Sequence, residues 1–153
     1  MLSWMAAIFA ALLGTDVMCK QQVEENLEPG EIRELFGGKV LIRKVYNRGF
    51  MLNLLDDRPG LIKGATMITG AGILIWDALV FLKKGNALRK LGLTVLSAGA
   101  ASNAFDRLAR GQVIDYIGIP GKNRFLARIT ANLGDLYIAC GGIFIMISDL
   151  LKK

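Results

Sequence analysis

Four apolar stretches alternate along the chain with segments that carry most of the charged side chains. They are residues 1–15, 64–82, 91–105 and 129–148. The charged side chains inside them are Asp77 and Asp135. A soluble amphipathic helix has polar positions every three or four residues, and runs such as residues 72–76 (GILIW) and 143–147 (IFIMI) have none. The pattern predicts four membrane-spanning helices. A helical bundle in a soluble partner protein is the alternative, because no stretch has about 18 uninterrupted apolar residues.

The segments between the stretches predict a small β-containing part. Residues 39–50 (KVLIRKVYNRGF) and 112–123 (QVIDYIGIPGKN) each contain a β-branched run typical of a short strand. Residues 24–35 (EENLEPGEIREL) are predicted to form an acidic helix. The predicted fold class is an all-α integral membrane protein, with four transmembrane helices and a small β-containing extracytoplasmic part. The single membrane domain, 1–153, has helices at about 1–18, 61–82, 88–106 and 131–150, and extracytoplasmic segments at about 20–60 and 107–130.

The distribution of basic residues predicts the orientation. Residues 83–90 (KKGNALRK) hold four basic side chains and no acid, and Lys152 and Lys153 end the chain. Under the positive-inside rule both features lie on the cytoplasmic side, which places both termini in the cytoplasm. Residues 107–128, with five basic side chains and one acid, oppose this assignment. The first stretch has no basic leader and no cleavage signal, so we expect it to be a retained helix.

The amino-acid composition limits the kinds of catalysis and binding that this chain can support. The 153 residues include no histidine, which excludes serine–histidine and cysteine–histidine catalysis and imidazole metal sites. Cys19 and Cys140 form no CxxC pair. The net charge of +6 is not concentrated in a basic run interleaved with aromatics, so no nucleic-acid partner is expected. Catalysis, if present, must use carboxylates, amides, lysine or arginine, and neither a metal nor another cofactor is predicted.

Two Asn-x-x-Asp pairs are the polar feature that most strongly suggests a functional site. Asn103 and Asp106 lie at the end of the third stretch, the latter directly after it. Asn132 and Asp135 lie near the start of the fourth, and Asp115 lies between the pairs. A spacing of three puts amide and carboxylate on one helical face. A purely structural interpretation is that Asn132 caps a helix and Asp135 stabilises the first turn of that helix, while Asp106 pairs with a neighbouring arginine. Both interpretations are open at this point.

Asp77 is a separate candidate, because an ionisable side chain within an apolar membrane segment is often functional. If the chain is a small transporter, Asp77 is expected to carry its function. A non-enzymatic, multi-pass membrane protein is therefore the alternative prediction, either such a transporter or a lipopeptide-binding protein.

Five motifs in order resemble the lipoprotein signal peptidases, the signal peptidase II family. NAFDR at 103–107, GQVIDYI at 111–117 and ANLGD at 131–135 resemble the N-x-x-D-R, Val-Val-Asp-Phe-like and F-N-x-A-D motifs of the family. Asp16-Val-Met-Cys-Lys20 and Asn47-Arg-Gly49 resemble its D-x-x-x-K and N-x-G segments. The resemblance covers nearly the whole chain.

The resemblance implies a membrane aspartic endopeptidase of the bacterial inner membrane. Such an enzyme removes the signal peptide from prolipoproteins, cutting before a diacylglyceryl-modified cysteine by attack of a water that two aspartates activate. By position these are Asp115 and Asp135, with Asp106 as a supporting residue beside Arg107 and as the main competitor for Asp115. Asn103, Arg107 and Asn132 are expected to position the pair and the substrate backbone. Asp16, Lys20, Asn47 and Gly49 are expected to shape the outer end of the substrate groove. The implied partners are prolipoproteins and membrane lipids, and the implied state is a monomer.

Overall fold

A computed structural model describes residues 2–49, 55–121 and 129–151. The helices are α1 (Leu2–Asn26), α2 (Pro59–Phe81), α3 (Ala87–Phe105) and α4 (Leu133–Leu150). The strands are β1 (Ile32–Leu35), β2 (Val40–Asn47), β3 (Val113–Gly118) and β4 (Thr130–Ala131). They form one antiparallel sheet in the order β1-β2-β3-β4. The predicted mostly helical chain with a small β part is confirmed.

Three helices, α1, α2 and α4, are long and apolar enough to cross a membrane. The predicted fourth span is not confirmed, because α3 is not among the helices that meet this criterion in the described part of the chain. The reason is its composition: Arg89 and Lys90 lie in its first turn, and Thr94, Ser97 and Ser102 are buried along it. These polar side chains are shielded by α1, α2 and α4, all of which pack against α3.

Helices α3 and α4 are antiparallel. Near the start of α3, Arg89 Nη1 lies 3.0 Å from Asp149 Oδ1 at the end of α4. Near the end of α3, Asn103 Nδ2 donates to Asp135 Oδ1 at the start of α4, over 2.8 Å. The sheet lies at this second end of the bundle, which we call the sheet end, and the linker from α2 to α3 lies at the opposite end.

Glycines let α3 and α4 pack backbone against backbone. A Cβ atom on Gly99 would overlap the carbonyl oxygen of Gly134, and one on Gly141 would lie 2.5 Å from the carbonyl oxygen of Gly92. Small residues allow this close approach between helices in membranes, where van der Waals packing drives much of the association. The interface fixes the start of α4 against the end of α3.

The sheet packs onto the end of α1. Val23 of α1 and Ile114 and Tyr116 of β3 form a buried apolar cluster. Because side chains alternate across a strand, Asp115 projects from the opposite face of β3 to Ile114 and Tyr116. It pairs across the sheet with Val45 of β2. The sheet therefore delivers one carboxylate to the side away from α1.

Two local predictions differ from the structure. Helix α1 continues to Asn26, past the predicted end near residue 18, because residues 17–26 keep good helix formers after the apolar run ends. The predicted acidic helix over residues 24–35 is wrong beyond its first three residues. Gly30 has a φ of +86°, and the chain then enters strand β1, which pairs with β2.

Candidate active site

Asp135 is held in the first turn of α4. Asn132 caps the helix by accepting the Asp135 backbone N–H at Oδ1 over 2.9 Å. In return, Asp135 Oδ2 accepts the Asn132 backbone N–H over 3.1 Å, and Oδ1 accepts Asn103 Nδ2. The two donors hold the Asp135 carboxylate in place at the start of α4.

Asp115 is held from both sides by amides. Asn132 Nδ2 donates to its Oδ1 over 2.7 Å, and Asn47 Nδ2 donates to its Oδ2 over 3.1 Å. Only 5% of Asp115 is exposed, and burial raises the pKa of its carboxyl to about 6. The negative charge of Asp135 also raises this pKa, whereas the hydrogen bonds from Asn47 and Asn132 lower it.

Asn132 joins the two carboxylates, which we call the dyad. Its Oδ1 caps the helix that begins beside Asp135, and its Nδ2 binds Asp115. The capping and the functional interpretations of Asn132 are therefore compatible. Two carboxylates held close together in this way can provide both an acid and a base.

A buried cluster lies beside the dyad, and Lys20 is its centre. Lys20 Nζ lies 2.9 Å from Asp16 Oδ2 and 3.1 Å from Asp106 Oδ2, and it donates to Ser102 Oγ and Asn103 Oδ1. We call these five residues the Lys20 cluster. Asp16 and Lys20 have no exposed surface, so the structure places them in the interior of the helix bundle and not along a groove.

The Lys20 cluster orients Asn103, a side chain that donates a hydrogen bond to the dyad. Asn103 accepts from Lys20 through Oδ1, over 2.8 Å, and so turns its amide N–H toward Asp135. A buried amide whose two ends are both bonded is fixed in one orientation. Lys20 therefore helps to fix the position of the Asp135 carboxylate, although it does so only through Asn103.

Asp106 occupies a position in the Lys20 cluster and not in the dyad. It begins a π-helical turn, Asp106–Arg110, directly after α3. It is 1% exposed and lies within ion-pair distance of Lys20 and, at 3.6 Å, of Arg110. Its Oδ2 also accepts the backbone N–H of Ile114 over 3.4 Å, which joins the π-helical turn to β3.

Asn47, Gly49 and Arg107 lie together on the other side of the dyad. Asn47 Oδ1 accepts the Gly49 N–H over 3.2 Å, while its Nδ2 binds Asp115. Arg107 Nη2 donates to the Gly49 carbonyl over 3.4 Å. The structure thus brings all of the residues of the sequence-predicted site into one region at the sheet end of the bundle.

Sequence reasoning did not identify Tyr116. Its hydroxyl donates to Asp16 Oδ1 over 3.0 Å and accepts the backbone N–H of Leu133 over 3.3 Å. Burial raises the pKa of Tyr116, which keeps the hydroxyl protonated as a donor. The available signal was a tyrosine directly after Asp115 on a buried strand, since a buried tyrosine hydroxyl usually needs a partner.

A cavity of about 600 Å³ opens beside the dyad, between α2 and α3. Asn103, Arg107 and Asp135 line it at the sheet end. Its other walls are mainly alanine, glycine and aliphatic side chains from α2 and α3. Farther along this α2–α3 cavity lies Asp77, whose Oδ2 accepts the Ser97 hydroxyl over 2.7 Å.

The acidic side chains are not arranged as a metal site. Within the described residues, no group of three or more histidine, cysteine, aspartate or glutamate side chains could hold a metal ion.

The chain matches known proteins over almost its full length. The family model described as signal peptidase (SPase) II matches residues 8–151. A lipoprotein signal peptidase of Chromobacterium violaceum is 30% identical over 96% of this chain and 90% of the relative. A lipoprotein signal peptidase of Streptococcus pneumoniae is 28% identical over 97% of this chain and 93% of the relative. A solved structure described as a bacterial membrane enzyme has the same fold, with a TM-score of 0.83 and 24% identity over 99% of this chain and 90% of that chain.

Proposed function

This chain belongs to the signal peptidase II family, and on that premise we propose that it is a membrane aspartic endopeptidase acting on prolipoproteins. It removes the signal peptide by cutting before a diacylglyceryl-modified cysteine. The observation that carries the proposal is the bridge Asp115–Asn132–Asp135, in which Asn132 donates to the Asp115 carboxylate through its side-chain amide and to the Asp135 carboxylate through its backbone N–H. Relatives named lipoprotein signal peptidase support the substrate class.

The two carboxylates take different roles because their surroundings differ. Asp135, which two hydrogen bonds hold at the start of α4, serves as the base and accepts a proton from water. Asp115 has a pKa raised to about 6 by burial, so it holds the shared proton. The water oxygen attacks the scissile carbonyl carbon, and Asp115 donates to the developing oxyanion. When the C–N bond breaks, the proton on Asp135 passes to the leaving nitrogen.

Amides and one arginine hold this geometry. Asn103 and Asn132 fix the orientation of Asp135, while Asn47 and Asn132 fix Asp115. Arg107, which lines the α2–α3 cavity, supplies donors for the substrate backbone. Further residues support these groups through hydrogen bonds and ion pairs: Gly49, Asp16, Lys20 and Asp106.

The α2–α3 cavity is the place where the apolar signal segment binds. Its walls are apolar, and Asp135 lies at one end, so a segment bound along the cavity presents its scissile bond at the sheet end. The acyl chains of the modified cysteine stay in the bilayer beside the helices.

The orientation of the chain in the membrane follows from the distribution of basic side chains. Residues 83–90, with four basic side chains, run from the α2–α3 linker into the first turn of α3 at the end opposite the sheet. We take this end as cytoplasmic and the dyad as extracytoplasmic. With α3 as a fourth crossing, shielded by its neighbours, both termini are in the cytoplasm of a bacterial cell and the chain is a multi-pass protein of the inner membrane. All of the groups of the site come from one chain, which fits a monomer.

The test is cleavage of a lipidated prolipoprotein by purified protein in detergent micelles. We expect Asp115→Asn and Asp135→Asn each to reduce the rate by at least about 100-fold, since each removes one partner of the acid–base pair. The matched control is Asp57→Asn, in an exposed turn, which should cleave at the parent rate. Full activity in both dyad variants would refute the proposal.

The same assay separates Asp106 from Asp115. If Asp106 were the first member of the dyad, Asp106→Asn would abolish cleavage while Asp115→Asn left the rate high. We expect Asp115→Asn to have the larger effect on the rate of correctly folded protein, and Asp106→Asn to act mainly by lowering the thermal unfolding temperature.

A further inference from the structure

Asp77 and Ser97 form a second polar site in the α2–α3 cavity. Both line it, and their neighbours in sequence Ile73, Leu74 and Leu96 line it too. Ser97 precedes Asn103 by six positions on α3, which corresponds to about 9 Å along a helix axis. The second site therefore lies inward from the dyad, along the path assigned above to the signal segment.

The Asp77 carboxylate is only half satisfied. Oδ2 accepts the Ser97 hydroxyl over 2.7 Å, but Oδ1 is buried and has no hydrogen-bond partner in the described part of the chain. A buried acceptor without a donor costs free energy, more so when the group is charged. The terminal torsion of an aspartate turns easily, so a carboxylate oxygen can meet a donor that enters the cavity.

Starting from the proposed function, we propose that Asp77 determines specificity by accepting a hydrogen bond from a serine or threonine hydroxyl in the apolar part of the signal peptide. Ser97 holds the other carboxylate oxygen and so aims the acceptor. The distance of about 9 Å corresponds to about three residues of extended chain or six of helix, so the hydroxyl lies three to six residues before the scissile bond.

A neutral hydroxyl fits this position better than a lysine or arginine. The basic leader of a signal peptide precedes an apolar stretch of about 7–15 residues. A helical stretch of about 11 residues spans about 16 Å, which puts a basic side chain beyond Asp77 and toward the cytoplasmic boundary. A hydroxyl within the apolar stretch lies at the matching depth.

The experiment measures binding without cleavage. Lipidated peptides carry an N-methylated scissile amide and differ only in threonine or valine, which have nearly the same shape, at each position three to six residues before the bond. Their dissociation constants are measured for the full chain in liposomes of phosphatidylethanolamine and phosphatidylglycerol. We expect threonine to bind about three- to tenfold more tightly than valine at one position.

Variants connect the preference to the carboxylate. Asp77→Leu, which suits a membrane helix, should give equal dissociation constants for the two peptides, and Asp77→Asn, which keeps an acceptor oxygen, should retain part of the ratio. Thr69→Val is the matched control, because Thr69 lines the same cavity two turns away on α2 and should leave the ratio unchanged.

Three results would overturn the inference. They are equal binding of threonine and valine peptides at every position, an unchanged ratio in Asp77→Leu, and tighter binding of a lysine peptide than of the threonine peptide. Cleavage of the unmethylated parent peptide is measured alongside. An Asp77-dependent ratio without any cleavage would refute the proposed function alone, whereas cleavage without the ratio would refute only this inference.

Discussion

The two sides of α3 differ in how completely they are filled. Toward α4, glycines bring the backbones into contact, and toward α1 the Lys20 cluster buries three charged side chains together. Toward α2, the same helix leaves a cavity of about 600 Å³ with a half-satisfied aspartate in its wall. The filled side fixes the carboxylates, and the open side has room for a peptide.

The difference assigns separate tasks to neighbouring helices. Positions that hold the dyad from the α1 and α4 sides should respond strongly to a change of volume or charge, because their side chains are buried against one another. Positions on α2 should tolerate such changes and alter mainly the choice of substrate. Three predictions test this division, in order of expected effect.

The largest effect is expected in the Lys20 cluster. Lys20→Met leaves Asp16 and Asp106 buried without their shared cation, which should lower the free energy of unfolding by about 3–5 kcal/mol. Titration with a denaturing detergent, followed by circular dichroism, measures this loss. The control is Arg33→Met, which breaks the exposed pair with Glu31 and should leave unfolding unchanged. Equal effects of the two substitutions would contradict the role given to the Lys20 cluster.

Glycine packing comes next. Gly99→Ala places a Cβ against the carbonyl oxygen of Gly134, so α3 and α4 must separate, and we expect a loss of about 1–3 kcal/mol in the free energy of unfolding. On an exposed position of α2, Gly72→Ala meets no atom within 4 Å and should be neutral. The same detergent titration compares the two variants, and a destabilised Gly72→Ala with a stable Gly99→Ala would reverse the comparison.

The smallest effect concerns pH. Burial raises the pKa of Asp115 to about 6, and in the proposed mechanism Asp115 must hold a proton, so cleavage should slow as pH rises through about 6. The hydrogen bond from Asn47 lowers this pKa. Asn47→Ala therefore raises it further and should move the decline to higher pH. Rate profiles from pH 5 to 8 measure the shift, and a shift to lower pH would argue against Asp115 as the proton donor.

The sequence was most informative where function depends on local spacing. Asn132 as a helix cap, with Asp135 in the first turn, is one of the two interpretations that the sequence leaves open, and the capping box at the start of α4 has this geometry. The strand around Asp115 was also evident from its β-branched residues. Short-range geometry of this kind follows from helix and strand periodicity alone.

Burial of the Lys20 cluster could not be foreseen from the sequence. Asp16 and Lys20 form an i, i+4 pair that is often exposed on a helix, and the apolar run ends just before it. Their partners Ser102, Asn103 and Asp106 come from more than 80 positions away and meet them only because α1 packs on α3. The length of α1 could not be read from the sequence for a different reason: hydropathy marks the membrane segment and not the end of the helix.

The capping box of α4 also determines how the protein should respond to heat. The bonds between Asn132 and Asp135 are the ones that begin the helix, and helix ends open at lower free energy than the whole fold. When this turn frays, Asp135 and the amide that holds Asp115 are released together. Activity should therefore disappear reversibly at a temperature below the one at which the helices melt.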